Sequence, residues 1–467
     1  MSPGLPEYDA AATGPLGPWA KGVPVSAWGR DGAGWVASGP HLADLPTPVM
    51  TLDAAAVAAN LAAMAGWAAG AGVDLAPHGK TSMAPALWRA QLAAGAWAVT
   101  VATPWQLAVA LDAGVPRVLV AGPLLDADVH GLVARTTAPA ATSPASSPAT
   151  PAARVLAWVD GEDVVAATAA ARAEGLARTD QDPAGTRPLD VLVELGAPGA
   201  RTGARSVAAA LAVARATAAA PGLRLAGVAG YEGALAHDAS PASMAAVRAW
   251  LRDLRSLHEQ LLGLGLLDTA SVPDDAAVVS AGGSAYFDVV AEELADLHDP
   301  AGQHGPGVRV VVRAGASAAH DDGFYAGITP ATRGTGPELR AGLHAWARVI
   351  SRPEPGLALL DAGRRDLPFD EGLPVVRARR PGGRGPAEPL EPGAAVVTAV
   401  NDQHAFVRLA AGRAGGGGAE HLAVGDVLQL GLSHPCTAFD KWGLVPVVDD
   451  ASLPQPRVVD LLRTVFG

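Results

Sequence analysis

Short apolar runs alternate with helical stretches over more than half of the chain. The runs are rich in Val, Leu and Ala with few polar positions, and the stretches between them carry apolar residues at intervals of three and four. Strands that are largely apolar and each followed by a helix indicate a parallel sheet covered on both faces. The predicted strands begin near Val73, Ala98, Val118, Val155, Val191, Ala226, Ala277 and Val308.

Eight strand–helix units predict a closed (β/α)8 barrel of the TIM type over roughly residues 54 to 330. A doubly wound open sheet is the alternative fold. It would need a glycine-rich first turn of the dinucleotide-binding kind, and the first turn here contains only Gly79. The barrel is therefore the preferred prediction.

The pattern changes on both sides of the barrel. Residues 1–46 are predicted to form an N-terminal arm, and residues 47–335 the barrel domain. Over residues 336–467 helical spacing fades and short β-like runs alternate with Gly, Pro and charge, which predicts a smaller, mostly β C-terminal domain. The Ser, Thr, Pro and Ala run at residues 136–153 cannot bury enough apolar surface to fold alone, so we interpret it as a surface insertion.

Composition narrows the classes of partner and compartment. The chain of 467 residues is 49% hydrophobic and 17% charged with a net charge of −12, which supports a sizeable core and argues against nucleic-acid binding. We expect no signal peptide and no uncharged apolar run of the ~18 residues that span a membrane. The one cysteine, Cys436, allows no intramolecular disulfide. A cytoplasmic protein without membrane partners is the expectation.

Lys80 is the first candidate for chemistry. It follows the first predicted strand of the barrel, in a short turn bounded by Pro77 and Pro85. An amine at the end of a buried strand is desolvated, which favours the neutral form that attacks a carbonyl group. An ordinary exposed lysine in a loop is the alternative interpretation.

Other strand ends of the barrel carry further candidates, because active sites of this fold lie at the carboxyl ends of the strands. The turn Gly282-Gly283-Ser284 precedes a helix and could bind a phosphate through its amides and hydroxyl, although a plain turn is the alternative. Arg201 could bind a phenolate or carboxylate, or be a surface arginine. Tyr231 could serve a ligand or be a core residue whose hydroxyl is satisfied.

His434 and Cys436 are the candidate metal ligands. They are two residues apart, so in an extended segment both side chains point to the same side. Imidazole and thiolate together suit Zn²⁺. Two ligands are too few for a structural zinc site, whereas a catalytic ion keeps open positions for water or substrate. A small buried cysteine without a metal is the alternative.

Taken together, these motifs resemble the alanine racemase-like, fold type III pyridoxal-phosphate enzymes, and within them the D-serine dehydratase and D-threonine aldolase group, especially its amino acid deaminases. One departure concerns Ser82, where the dehydratases and aldolases often have a histidine. The matching segments run in the same order over almost the entire chain: Thr47-Pro48, Pro77-His78-Gly79-Lys80-Thr81, Arg201-Thr202-Gly203, Tyr231-Glu232-Gly233, Gly282-Gly283-Ser284, Asn401-Asp402-Gln403-His404 and His434-Pro435-Cys436-Thr437.

The resemblance implies a role for each candidate residue. Lys80 would carry pyridoxal 5′-phosphate covalently and act as the catalytic residue. The cofactor-binding set would be completed by residues around the phosphate, the pyridine nitrogen and the phenolic oxygen. Zn²⁺ or another divalent metal would be bound by His434 and Cys436, and the protein would be a homodimer. The implied cofactor-binding residues are Lys80, His78, Arg201, Tyr231, Gly282, Gly283 and Ser284.

The implied function is that of a lyase, a D-amino acid dehydratase or deaminase. It would eliminate the β-hydroxyl of a small-molecule D-amino acid such as D-serine or D-threonine, giving a 2-oxo acid and ammonia. A D-threonine aldolase is the nearest alternative, and Cys436 favours the dehydratase because the aldolases more often have a carboxylate there. An amino-acid racemase and a non-catalytic pyridoxal-phosphate-binding protein are further alternatives.

Overall fold

The computed structural model describes Asp9 and residues 14–137, 153–179, 186–267, 276–303, 307–410 and 422–466. Of the predicted insertion at 136–153, residues 138–152 lie outside this part of the chain. The chain divides into two compact units. A barrel unit comprises residues 65–80 and 92–315, and a sheet unit comprises residues 1–64, 81–91 and 316–467. The predicted domain boundaries after residues 46 and 335 stay a prediction.

Eight parallel strands form the sheet of the barrel unit, and all eight match the strands predicted from the apolar runs. Their order in the sheet follows the chain from β3 to β9, and β2 pairs with β9 at the far side. The strands are β2 Asp74–Leu75, β3 Val99–Val101, β4 Arg117–Val120, β5 Arg154–Val159, β6 Leu189–Leu195, β7 Leu223–Gly230, β8 Ala277–Ala281 and β9 Val308–Val312.

The sheet closes on itself between β2 and β3. Leu75 O accepts a hydrogen bond from Trp97 N at 2.7 Å, and Pro77 O accepts one from Thr100 N at 2.9 Å. A parallel bridge joins His78 to Thr100, whose hydroxyl also donates to Ala76 O at 2.6 Å. The predicted (β/α)8 barrel is therefore confirmed. The bridge to Thr100 places His78 where the sheet closes between β2 and β3.

Side chains fill the barrel interior, as expected for a closed barrel of eight strands. Trp97, Trp158 and Leu192 are among the buried members of this core cluster. Several helices are capped at their N-terminus by a side-chain hydroxyl that accepts a hydrogen bond from a backbone N–H. Thr103 caps α4 in this way and Ser240 caps α8. The helices after the barrel strands are α3 Pro85–Ala93, α4 Pro104–Asp112, α5 Ala127–Thr137, α6 Glu162–Ala177, α7 Val207–Ala219, α8 Pro241–Gly263 and α9 Phe287–Leu294.

The sheet unit is built on ten strands, which are mainly antiparallel. Its central path runs β13-β12-β16-β10-β1-β17-β18, and β11, β15 and β14 extend it from β10. The predicted β C-terminal domain is thereby confirmed. The strands are β1 Val49–Asp53, β10 Leu343–Glu354, β11 Leu357–Leu360, β12 Val375–Arg380, β13 Glu388–Pro389, β14 Ala395–Val400, β15 Ala405–Leu409, β16 Val427–Gly431, β17 Leu444–Val448 and β18 Val458–Arg463.

The N-terminal strand β1 lies inside this sheet. It pairs antiparallel with β10 and parallel with β17. Trp346 on β10 donates its indole N–H to Thr51 at 2.9 Å, which satisfies both buried polar groups. Residues of the predicted arm join the same core: α1 (Gly32–Ala37) buries Trp35, and Leu16 is buried as well.

One expectation about membrane segments is corrected by the helix α2 (Ala54–Ala71). Its 18 residues are uncharged with a mean hydropathy of 1.4, so by length and composition it could cross a membrane. Core helices of soluble proteins pass the same test. Asn60 of this helix donates to Ala318 O and Arg340 O at 3.0 and 2.8 Å, so the helix contributes hydrogen bonds to the sheet unit.

Candidate active site

The predicted cofactor-binding residues of the barrel unit all follow strands at their carboxyl ends. His78 and Lys80 come after β2, Arg201 after β6, Tyr231 after β7, and the Gly282-Gly283-Ser284 turn after β8. Parallel strands present their carboxyl ends at one end of a barrel. Residues that are far apart in the chain are thus brought to a common region of this unit.

The electrostatics of His78 show which charges are close to it. Burial lowers the pKa of His78 well below its ordinary value, and the positive charges of Lys80, Arg313 and Arg201 lower it further. Nδ1 of this ring is buried and has no hydrogen-bond partner among the described residues. His78 is therefore a neutral imidazole beside three cationic side chains, and a cluster of cations suits an anionic, phosphorylated ligand.

A glycine after β9 allows the chain to approach His78. A Cβ atom at Gly315 would lie 2.6 Å from His78 Cβ and 2.8 Å from His78 O, closer than such atoms pack. Any larger residue at this position would have to displace the segment that carries His78 and Lys80.

Arg201 and Tyr231 contact each other. The guanidinium carbon of Arg201 lies 5.4 Å from the centroid of the Tyr231 ring, in the range of a cation–π interaction. Arg201 is exposed and Tyr231 is half-buried. The roles predicted for them, at the phenolic oxygen and the pyridine nitrogen of the cofactor, remain predictions.

The Gly282-Gly283 turn has a partner that the motif did not reveal. The carboxylate of Glu232 accepts hydrogen bonds from both amides, from Gly282 N at 2.9 Å and from Gly283 N at 2.6 Å. These are two of the donors predicted for the phosphate. Gly282 has a φ of +91°, which glycine adopts readily, and a side chain of the protein binds the first two amides of the turn.

Arg313 is a strand-end residue of this region for which no role was predicted. It is buried at the end of β9 and donates to Ser280 Oγ and Gly230 O, both at 2.6 Å. Its guanidinium carbon lies 4.7 Å from the Trp158 ring centroid. Burial lowers the pKa of Arg313 to about 10, against the opposing charges of Glu232 and Glu194. An arginine directly after a run of valines was the signal that could have identified it.

Glu194, at the end of β6, is the second such residue. Burial raises the pKa of Glu194, although its hydrogen bond from Thr202 Oγ1 at 2.8 Å and the charge of Arg201 oppose the shift. Together with Glu232 it balances the arginines and lysine of the same region. A glutamate directly after the apolar run Val191-Leu192-Val193 was the corresponding sequence signal.

The predicted metal ligands lie in the sheet unit, just after β16. His434 Nδ1 is 2.7 Å from Asp370 Oδ2, and Thr437 Oγ1 donates to Asp370 Oδ1 at 2.6 Å. Cys436 Sγ lies 3.2 Å from Thr81 Oγ1. The structure therefore brings His434 and Cys436 into one cluster, and it adds Asp370 and Thr81, neither of which was predicted to belong to the metal site.

Charge in this cluster favours the protonated imidazole when no metal competes. Burial alone would lower the pKa of His434, but the hydrogen bonds and charges of Cys436 and Asp370 outweigh burial and raise the pKa to about 9. For Asp370 burial alone would raise the pKa of the carboxyl group. Its hydrogen bonds with Thr437 and His434 outweigh burial and lower that pKa below its ordinary value.

The donor set of the cluster suits an open metal site. With Asp370 bound at Nδ1, the imidazole of His434 keeps Nε2 for an ion, and Cys436 supplies a thiolate. Among the described residues, no group of three or more His, Cys, Asp and Glu side chains is arranged to hold a metal ion. Two protein ligands fit a catalytic ion with open positions and do not fit a closed structural site.

Comparison with known proteins finds relatives over most of the chain. Residues 342–448 match the family model described as "Putative serine dehydratase domain". Over 418 residues the chain is 29% identical to a D-threonine aldolase from Arthrobacter sp., a match that covers 88% of this chain and 91% of that protein.

Solved structures extend the comparison to the fold. The D-threonine aldolase from Filomicrobium marinum is 23% identical with a TM-score of 0.68, over 91% of this chain and 96% of that chain. The D-threo-3-hydroxyaspartate dehydratase from Delftia sp. HT23 is 21% identical with a TM-score of 0.64, over 92% of this chain and 100% of that chain. An alanine racemase from Bacillus anthracis is 15% identical with a TM-score of 0.53, over 89% and 97% of the two chains. At these identities the structures establish the fold, a barrel with a β-rich domain.

Proposed function

We propose that this chain, which resembles the alanine racemase-like group that includes the D-serine dehydratases and D-threonine aldolases, is a lyase that acts on D-amino acids bearing a β-hydroxyl group. It would use pyridoxal phosphate and a divalent metal, most suitably Zn²⁺. The observation that carries the proposal is the cluster of His434, Cys436 and Asp370 inside the segment that matches the serine dehydratase model. A racemase has no need of such a metal-binding pair.

Lys80 is the residue proposed to hold the cofactor, through Nζ. Pyridoxal phosphate, when bound, withdraws electrons from the α-carbon of an amino acid and so makes the α-proton acidic. We assign acceptance of that proton to Lys80 Nζ, because a lysine amine in a desolvated site is a competent general base. The neutral ring of His78 adds no positive charge next to this amine.

Arg201 and Tyr231 are proposed to orient the cofactor. Their cation–π contact holds the tyrosine ring in place, and the guanidinium keeps its charge near an anionic ligand. Ser284 is the proposed phosphate ligand of the turn after β8. The Gly282 and Gly283 amides were predicted for the same role and stay a prediction; without the cofactor they donate to the Glu232 carboxylate.

His434 and Cys436 are proposed to bind the metal. A bound divalent ion would act as a Lewis acid on the β-hydroxyl oxygen of the substrate. Asp370 fixes the orientation of His434, because an imidazole that donates Nδ1–H to a carboxylate presents Nε2 as the lone-pair donor. The hydroxyl of Thr81 contacts Cys436 Sγ and is proposed to stabilise the thiolate.

Two reactions are compatible with this set of residues. The preferred one is α,β-elimination, in which the α-proton and the β-hydroxyl leave and hydrolysis yields a 2-oxo acid and ammonia. Cys436 supports it, since the resemblance associates a carboxylate at this position with aldolases. Retro-aldol cleavage to glycine and an aldehyde is the second candidate, and the 29% identity with a D-threonine aldolase supports that one.

The decisive experiment is to incubate the purified protein, supplied with pyridoxal phosphate and Zn²⁺, with D-serine and D-threonine in separate reactions. Elimination would give ammonia with pyruvate or 2-oxobutanoate in equal amounts, and cleavage of D-threonine would give glycine and acetaldehyde. The L-enantiomers serve as controls. Formation of only the opposite enantiomer would indicate a racemase, and absence of any product would contradict the lyase proposal.

We also propose that the protein is a cytoplasmic homodimer, as the resemblance implies. Static light scattering on the purified protein would separate a dimer from the 46.8 kDa monomer.

A further inference from the structure

Glu232 is a buried carboxylate to which the proposed chemistry gives no role. It lies directly after β7 and Tyr231, and its side chain is 0% exposed. Its two carboxylate oxygens each accept one backbone amide, Oε2 from Gly282 and Oε1 from Gly283. The carboxylate therefore joins the end of β7 to the turn that follows the neighbouring strand β8.

Burial of an ionised carboxylate is costly unless hydrogen bonds and an opposite charge compensate it. The two bonds to amides are charge-assisted and short, which is the stronger class of hydrogen bond. Arg313 supplies an opposite charge that interacts with Glu232 electrostatically. Ser280, Gly230 and the Trp158 ring hold Arg313 in place. The arrangement is complete within the barrel unit, so the carboxylate has a fixed position.

The two glycines contribute no side chains to the shape of the turn, although Gly282 O also accepts a hydrogen bond from Arg313 N at 2.8 Å. Gly282 adopts a φ of +91°, a conformation that other residues rarely adopt, and glycine also has the greatest freedom in the absence of restraints. A Cβ atom at Gly283 would lie 2.9 Å from Tyr231 Cε2, so a larger residue would clash with the tyrosine ring. The glycine that fits here has no side chain that could anchor the turn. The bonds from Glu232 therefore supply a restraint that the glycines do not.

We propose that Glu232 is a positioning residue, whose carboxylate holds the Gly282-Gly283 segment rigid and leaves the cofactor phosphate to Ser284. The inference rests on the proposed function for the identity of the ligand. The competing possibility is that Glu232 merely fills a phosphate site and is displaced when the cofactor binds. The two possibilities predict opposite effects of removing the carboxylate charge, because a restraint aids phosphate binding and a competing carboxylate opposes it.

The test compares Glu232→Gln with the wild-type protein and with Glu338→Gln, which changes an exposed glutamate. The dissociation constant of pyridoxal phosphate is measured by absorbance titration of cofactor-stripped protein, and pyridoxal without the phosphate is measured in parallel. We expect at least tenfold weaker binding of pyridoxal phosphate by E232Q and a smaller change for pyridoxal. Tighter binding of pyridoxal phosphate by E232Q would overturn the proposal.

A second measurement does not depend on the cofactor. Hydrogen exchange of at least one of the Gly282 and Gly283 amides in cofactor-free protein should be at least tenfold faster in E232Q than in the wild type or E338Q, because glutamine replaces one of the two acceptor oxygens by an NH₂ donor. Unchanged exchange rates would refute the restraint.

If E232Q does not fold, Glu232→Asp takes its place, since it keeps the charge but is too short to bind both amides. Failure of the wild type to bind pyridoxal phosphate would refute the proposed function and leave the exchange result to decide on Glu232.

Discussion

Lys80 is one of three lysines in the sequence, and the other two are Lys21 and Lys441. Lys21 forms an ion pair with Asp366 and lies 3.8 Å from the Trp442 ring centroid, so it has a structural role. Lys441 lies 3.6 Å from Asp440. With so few amines, substitution of each lysine can test directly whether Lys80 is the residue that binds the proposed aldehyde cofactor.

Replacing Lys80 by Ala is expected to abolish the visible absorbance of the protein–cofactor complex, because the amine that bonds the cofactor is lost. Lys441→Ala is the matched control and should keep the band at full intensity. Borohydride reduction followed by peptide mass analysis should place the label on Lys80 in the wild type. A visible band that persists in K80A would show that the cofactor assignment is wrong.

Other residues at this scale could not be identified from local sequence. Asp370 binds His434 across 64 positions of the chain, and Glu232 binds Gly282 across 50. Spacing within a motif carries information only about residues on the same element or turn. Glu194 and Arg313 left a trace, since each is a charged residue next to apolar strand positions, but which other residue balances each charge was not apparent from the sequence.

Among the elements, α8 contains an unusual buried histidine. Its buried face includes Trp250, Leu254 and Leu261, at the spacing of an amphipathic helix. His258 occupies the same face with 0% exposure, and neither ring nitrogen has a hydrogen-bond partner among the described residues. Burial lowers the pKa of His258 from 6.5 to about 4.

This shift predicts how stability depends on pH. Below pH 6.5 the unfolded chain binds a proton that folded His258 excludes until about pH 4, so the stabilisation is complete above pH 6.5 and is lost as the pH falls. At 1.36 kcal/mol per pKa unit the loss is about 3 kcal/mol by pH 4. We expect His258→Leu to retain more of its stability in urea unfolding at pH 4.5 than the wild type does. Exposed His237→Leu is the control, and an equal pH slope in H258L and wild type would contradict the prediction.

Most elements of the fold were predictable, and those that were not share a cause. The eight barrel strands were visible because a buried parallel strand is a continuous apolar run. In the sheet unit β12 and β18 went unnoticed, since half of β12 is arginine and β18 mixes charged and apolar residues. The partners of β1 are β10 and β17, which lie about 300 and 400 residues further along the chain, at positions that no local pattern specifies.

At the scale of the whole molecule, the two predicted groups of functional residues are placed in different compact units. Lys80, Arg201 and Tyr231 belong to the barrel unit, whereas His434 and Cys436 belong to the sheet unit. The contact of Arg201 with Tyr231 lies within the barrel unit, and the contacts of His434 with Asp370 and of Cys436 with Thr81 lie within the sheet unit. The two proposed ligands, cofactor and metal, should therefore be separable in experiments on the full chain.

Metal removal by a chelator is expected to lower the turnover of D-serine or D-threonine at least a hundredfold, because the Lewis acid at the β-hydroxyl is lost. The visible absorbance of the bound cofactor should remain. Readdition of Zn²⁺ should restore turnover in the wild type but not in Cys436→Ala, which lacks a ligand. Undiminished turnover in protein shown to be metal-free by elemental analysis would refute the metal role.

The sequence by itself determined the order of strands and helices, the barrel, the lysine after its first strand and the His-Cys pair, because each is written in neighbouring residues or in a short period. Only the tertiary structure decided what holds these groups. It showed that Asp370 orients His434, that Arg313 stacks on Trp158, and that the Gly282-Gly283 amides serve Glu232. Such partners are selected by geometry between distant segments, where burial requires every charge and amide to be satisfied.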